Sequence, residues 1–178
     1  MEDIFLGSLN MSDQIIKDLL RTMPGVTIIP GESFFWSPEK KLITYNKKII
    51  NTQDGQWALL HEIAHAKLKH TSYKSDLALL KLEVEAWNEA KNIASIYNLE
   101  IDEDHIQDCL DTYRDWLYRR SSCPNCSIVC LQKSPQSYSC HNCHTTWSVS
   151  TSRFCRPYRL KLKDGKEKRP QSSIATFS

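Results

Sequence analysis

Five residues, His61-Glu62-Ile63-Ala64-His65, constrain this chain more than any other stretch. They read H-E-x-x-H, and their flanks predict a helix. No proline or glycine falls between Gln56 and Lys69, and Gln56-Trp57-Ala58-Leu59-Leu60 and Ala66-Lys67-Leu68-Lys69 are good helix formers. Residues four apart share a helix face, so His61 and His65 present two imidazole nitrogens to one metal ion. Zinc suits that pair, because catalytic zinc sites use three protein ligands and keep a position for water. Glu62, one step round the helix, is the candidate catalytic residue. It takes the water's proton during attack on a carbonyl and returns it to the leaving amine.

A second metal pattern lies downstream. Cys123-Pro124-Asn125-Cys126 and Cys140-His141-Asn142-Cys143 form C-x2-C-x13-C-x2-C. Two knuckles giving two thiolates each make a closed, tetrahedral zinc ribbon. The ribbon's strands are expected at Ile128–Gln132, Ser137–Ser139 and Trp147–Val149. Some thirty residues bury too little to fold alone, so the metal supplies folding free energy. Cys109, Cys130 and Cys155 fall outside the pattern and read as buried or unpaired thiols. His141 and His144 sit beside the knuckles as competing ligands, although four cysteines suffice. The chain is thus expected to carry two Zn2+ ions, one catalytic and one structural.

The seven cysteines are an odd number, and the acidic start Met1-Glu2-Asp3-Ile4-Phe5 is unlike a secretory signal. Both features favour metal binding over disulfides and a cytoplasmic location. No apolar run approaches the ~20 residues that span a bilayer, so no membrane partner is expected. The net charge of +2 is uneven: residues from Arg153 onward carry +6 and the remainder −4. An acidic body and a basic tail are separate physical entities.

Periodicity predicts an α+β chain. A helix from Ser12 to Met23 has Ser12 as its cap, and Pro24-Gly25 stops it. Val26–Ile29 is a short β-prone run, and Ser33–Trp36 and Lys41–Tyr45 read as paired strands. The HEIAH helix spans about Asp54 to Lys69. Further helices follow at Ser75–Tyr97 and Asp102–Arg119, the last with Ile106, Leu110, Tyr113 and Leu117 on its inner face. The boundaries fall at 1–120 for the body, with a small antiparallel sheet and the active-site helices, 121–152 for the ribbon, and 153–178 for a flexible tail.

The two histidines need a third ligand. His70 lies five residues past His65, about 500° round the helix, which turns it off the ligand face unless the helix ends first. Of the downstream carboxylates, Glu83 lies on the apolar stripe with Leu79, Ala86, Ala90, Ile93, Ala94 and Tyr97. A charge there costs several kcal/mol unless paired or metal-bound. Glu85 and Glu89 share the polar face, and Glu85 is the reserve ligand.

A strand pair, H-E-x-x-H and a later helix with E-x-x-A resemble the zincin metallopeptidases of the glutamate-ligand branch. Within that branch the likeness is to the ImmA/IrrE family of small cytoplasmic metallopeptidases, over about Ile28 to Tyr97. Members often carry E-x-x-A-N or E-x-x-A-D, and here Glu83-Val84-Glu85-Ala86-Trp87 stands in that place. The resemblance implies a zinc metallopeptidase acting on a protein or peptide, with Glu83 as third ligand. Trp87 departs from the pattern and leaves the partner of a zinc-binding histidine unassigned. Such enzymes bind an extended peptide along a strand edge, here Leu42–Asn46. Tyr73, His70 and Arg114 are candidates for stabilising an oxyanion.

Ribbons also recognise nucleic acids and proteins. Arg153, Arg156, Arg159, Lys161 and Lys163 are candidate phosphate contacts in the tail. An HExxH domain followed by a ribbon resembles the architecture of SprT-like proteins, which act near DNA but use a third histidine. A nucleic-acid-associated or partner-binding regulatory protein on a zincin scaffold is therefore the alternative expectation.

Overall fold

The computed structural model describes residues 10–150 and 159–162. Helix α1 (Met11–Thr22) begins one residue earlier than its pattern suggests. Its cap is Asn10, whose side chain accepts from the Asp13 N–H, while Ser12 is buried and donates its hydroxyl to the Ile50 carbonyl at 2.8 Å. Ile15 and Leu19, one turn apart, bury the helix's inner face.

Strands β1 (Thr27–Gly31), β2 (Phe35–Ser37) and β3 (Leu42–Asn46) form a sheet in the order β1-β3-β2. The expected hairpin of β2 and β3 is present, with Trp36 opposite Ile43. Two expectations need correction. The sheet is mixed, because β1 runs parallel to β3, and Leu42–Asn46 is its central strand, not an edge. The β-prone run after Pro24-Gly25 takes up the second side of β3. Ile43 then becomes fully buried, and both sides of β3's backbone find partners.

Helix α2 (Gln53–Lys67) carries HEIAH and is tightly specified at both ends. At its start, the Thr52 hydroxyl accepts from the Gly55 N–H at 3.1 Å. Gly55 packs so closely that an added Cβ would lie 1.9 Å from the Ile49 carbonyl oxygen. Further along, the Trp57 indole donates to the Glu100 carbonyl at 3.1 Å. At its end, Lys69 turns left-handed with φ 57°. The His70 N–H then donates to the His65 carbonyl and the Lys69 N–H to the Ala66 carbonyl, a Schellman closure that normally takes glycine.

Helix α3 (Asp76–Ile96) is one continuous helix. Leu79, Glu83, Ala86, Ala90, Ile93 and Ala94 are all buried, as is Trp87. The helix closes in the same way as α2, with Asn98 at φ 53° and Leu99 N–H on the Ala94 carbonyl. Helix α4 (Glu103–Ser121) is capped by Asp102 and buries Ile106, Leu110, Trp116 and Arg120. Tyr113 and Leu117 are only half-buried, because the inner face swings toward Arg120.

The second sheet is antiparallel, in the order β4 (Gln132–Ser134), β5 (Ser137–Ser139), β6 (Thr146–Val149), β7 (Arg159–Lys161). Its first strand starts later than expected, and Val129 makes only an isolated bridge to Ser122. Within the expected tail, Arg159–Lys161 pairs with Val149–Trp147. The chain divides into two compact units, and the line differs from the expected boundary at 120. Among described residues, the first unit takes 10–71 and 85–101. The second takes 72–84, α4 and the ribbon. Among described residues, no helix is long and apolar enough to cross a membrane.

Gly55 seats the start of α2 against Ile49, so Gly55→Ala should destabilise the fold despite alanine's better helix propensity. The expected loss is about 1–3 kcal/mol, from backbone displacement at Ile49. Urea unfolding followed by circular dichroism measures it.

Candidate metal centres

His61 and His65 are buried on successive turns of α2, with rings edge-to-face at 4.6 Å between centroids. Their Nε2 atoms are 3.0 Å apart. Two nitrogens bound to one tetrahedral zinc at ~2.05 Å lie about 3.3 Å apart. The observed spacing therefore fits shared ligation with little adjustment. Glu83, 2% exposed, completes the group: one ligand atom from each of His61, His65 and Glu83 lies within 4.8 Å of the others. Two imidazoles and a carboxylate form a donor set that suits zinc.

Glu85, the reserve ligand, points elsewhere. Its Oε2 is 3.6 Å from Nε2 of His70, and its side chain is 45% exposed. Glu89 also has another partner, Lys67 Nζ at 2.5 Å, and that contact holds its carboxyl below the usual range. His70 is not turned away from the histidines. Because α2 ends at Lys67 and Lys69 turns left-handed, His70 folds back and sets its Nδ1 2.9 Å from Nδ1 of His65. On its other side its Nε2 faces the Glu85 carboxylate. Arg114 is engaged on α4 with Gln107 and Asp111, and Tyr73 is half-buried just before α3.

Two tryptophans complete the surroundings, and neither belongs to a motif. Trp87 replaces the expected polar residue and stacks on His61, with centroids 4.2 Å apart and planes at 30°. That packing restrains the orientation of the His61 ring. Trp36, on β2, works through both of its N–H groups. Its main-chain N–H donates to Glu62 Oε2 at 2.7 Å, and its indole donates to the His70 carbonyl at 3.0 Å. The carboxylate beside the histidines is thus held by the rim of the sheet. No local pattern marks Trp36, because its role depends on a contact 26 residues away.

The four ribbon cysteines gather as expected, with their sulfurs within 4.8 Å of one another. Cys123 and Cys143 are 3.6 Å apart and Cys126 and Cys140 3.5 Å. Disulfide sulfurs sit at ~2.05 Å, whereas thiolates around one zinc at ~2.3 Å sit about 3.8 Å apart. The spacing is too long for a disulfide and would let the four sulfurs share one metal ion. Each knuckle turns through a left-handed residue, Ser127 at φ 62° and His144 at φ 58°. Backbone N–H groups of Asn125 and Cys143 reach the Cys123 and Cys140 sulfurs at 3.4 Å. His144 serves that turn and is not among the clustered ligands. The Thr145 hydroxyl beside Cys143 pulls its thiol down to about 5. Cys130, outside the pattern and not among the clustered ligands, is pushed up to about 11 by burial.

A buried ion pair anchors this second unit. Arg120 Nε donates to Asp76 Oδ2 at 2.6 Å and Nη2 approaches Oδ1 at 3.3 Å, with both side chains at most 3% exposed. The Tyr138 hydroxyl also donates to Asp76, at 2.5 Å. Arg120 Nη1 donates to the Ser150 carbonyl, and its guanidinium lies 4.3 Å over the Trp116 ring. The Trp147 indole donates to the Arg120 carbonyl at 2.9 Å. The ends of α3 and α4 are thereby tied to β5 and β6.

Of the candidate phosphate contacts, Arg153, Arg156 and Lys163 lie outside the described residues, as does Cys155. Arg159 donates to the Ser122 carbonyl at 2.9 Å, and Lys161 Nζ lies 3.5 Å from Asn125 Oδ1. Both turn toward the first knuckle. Compared with family models, curated proteins and solved structures, the chain finds no match. The chemistry of these sites therefore rests on their own geometry.

Asp76→Ala would leave Arg120 a buried, uncompensated charge. The expected cost is about 3–5 kcal/mol, seen as faster hydrogen exchange across β5 and β6 and a lower urea midpoint.

Proposed function

We propose that this chain is a zinc-dependent metallopeptidase that hydrolyses peptide bonds of a protein or peptide substrate. The observation that carries the reading is the convergence of His61, His65 and Glu83 within 4.8 Å, with Glu62 on the same helix and held by the edge of the sheet. The likeness to glutamate-ligand zincins of the ImmA/IrrE type belongs to the same proposal. It is supported by a sheet, an HExxH helix and a following helix that brings a glutamate to the two histidines.

His61, His65 and Glu83 would hold the catalytic zinc. A zinc ion bound there polarises the scissile carbonyl and acidifies a water. Glu62 receives the attacking water's proton on a carboxylate oxygen and delivers it to the leaving amine nitrogen. The Trp36 N–H, on Oε2, fixes the rotation of that carboxylate. Trp87 packs on His61 and excludes water from the back of its ring. An extended peptide would lie along β2, the strand at the edge of the sheet beside Glu62, rather than along the central β3. Cys123, Cys126, Cys140 and Cys143 would hold a second zinc, which would supply folding free energy to the small antiparallel sheet.

Glu62→Gln tests the reading. The amide oxygen can still accept from Trp36, so the fold and both metals should be retained. Cleavage of a fluorogenic peptide library should fall by about 10²–10⁴-fold. Undiminished cleavage by this variant would remove Glu62 from the mechanism.

A further inference from the structure

We infer that His70, backed by Glu85, is the positioning residue for the ligand His65, through a ring-to-ring relay that selects the tautomer of both histidines. The inference rests on the metal-ligand part of the proposed site and not on hydrolysis.

The relay follows from proton counting. His65 and His70 are both buried, 2% and 6% exposed, and their Nδ1 atoms are 2.9 Å apart. At that distance one nitrogen donates and the other accepts, so the pair shares one proton. The far nitrogen of His65, Nε2, faces Nε2 of His61 at 3.0 Å, where Glu83 also converges. A neutral imidazole that offers its Nε2 lone pair to a metal carries its proton on Nδ1. Donation therefore runs from His65 to His70. His70 accepts on Nδ1 and, being neutral, carries its own proton on Nε2. That nitrogen faces the Glu85 carboxylate, Oε2 at 3.6 Å. The gap is too long for a direct hydrogen bond, but the negative charge still favours the proton on the facing nitrogen. Glu85 and the metal site thus select the same pair of tautomers from opposite ends.

The backbone holds His70 in this position. Its N–H donates to the His65 carbonyl at 3.0 Å, and its carbonyl accepts from the Trp36 indole at 3.0 Å. The left-handed turn at Lys69 is what allows both. A histidine serving only as core filling would not need a ring partner with a matched proton. Metal-binding histidines usually give their second N–H straight to a carboxylate or a carbonyl. Here a second imidazole stands between, and Glu85 acts through it.

The test uses the full chain loaded with zinc or cobalt. Zinc affinity is read by competition with a chromophoric chelator, and cobalt substitution separates the two sites. Thiolate-to-cobalt charge transfer reports the ribbon, and the visible ligand-field bands report the histidine site. His70→Phe keeps a ring but loses the acceptor, and it should weaken metal at the histidine site about 10–100-fold. Its ligand-field bands should shift while the ribbon signal stays constant. His70→Asn, with a carbonyl in reach of Nδ1, should recover part of the loss. Glu85→Gln, a change at a half-exposed side chain that leaves the fold intact, should weaken the same site by a smaller factor. It should add nothing in the His70→Phe background. Two tight zincs in His70→Phe and in Glu85→Gln, each with wild-type affinity, would overturn the relay and leave the proposed site standing. A wild-type chain that takes one zinc, on the cysteines alone, would overturn both.

Discussion

Two imidazole nitrogens 3.0 Å apart, on successive turns of α2, set the terms for the first unit. They lie this close only while the helix stays regular and its rings stay in one rotamer. The surrounding residues serve that requirement. Gly55 lets the start of the helix press against Ile49, and Trp57 ties its middle to Glu100. The Schellman turn at Lys69 ends it where His70 can return to His65. Trp87 packs one ring and His70 bonds the other. Polar groups buried this deeply cost free energy unless each has a partner, and here one residue often serves two. Trp36 is the plainest case, with one N–H on Glu62 and the other on the loop that carries His70.

The second unit handles buried charge differently. Four thiolates around a zinc and a salt bridge inside the protein are both ways of keeping charge out of water. The four clustered cysteines would do the first on binding a metal ion. Asp76 and Arg120 do the second, with the Tyr138 hydroxyl and the Gln132 amide donating to the Asp76 carboxylate and the Ser150 carbonyl accepting from Arg120. Trp147 and Tyr138, stacked at 5.5 Å, are the largest side chains of its core, and Cys123, Cys130, Cys140 and Val149 cluster with them. A core this small needs both devices.

Much of this is legible in the amino acids because it is local. The i, i+4 spacing of His61 and His65, the paired C-x2-C knuckles and the apolar stripe that includes Glu83 are short-range patterns with a mechanical meaning. The rest depends on long-range pairing. Whether Leu42–Asn46 lies at the centre or the edge of its sheet turns on where Thr27–Gly31 comes to rest, and strand order is not written in either segment. Arg159–Lys161 reads as a charged tail, yet it completes an open sheet edge, with its arginine turned to the Ser122 carbonyl. Arg120 looks like a surface residue until Asp76, 44 positions away, is set beside it. His70 escapes the helical wheel for a smaller reason, since a lysine in the left-handed region reverses a chain that the wheel carries onward.

X-ray anomalous scattering at the zinc edge tests the central claim most directly. A crystal of the intact chain grown with zinc should give two peaks per molecule, one among Cys123, Cys126, Cys140 and Cys143 and one bounded by His61 Nε2, His65 Nε2 and a Glu83 oxygen. A single peak, at the cysteines, with the Nε2 atoms of His61 and His65 still 3.0 Å apart and no metal between them, would contradict it.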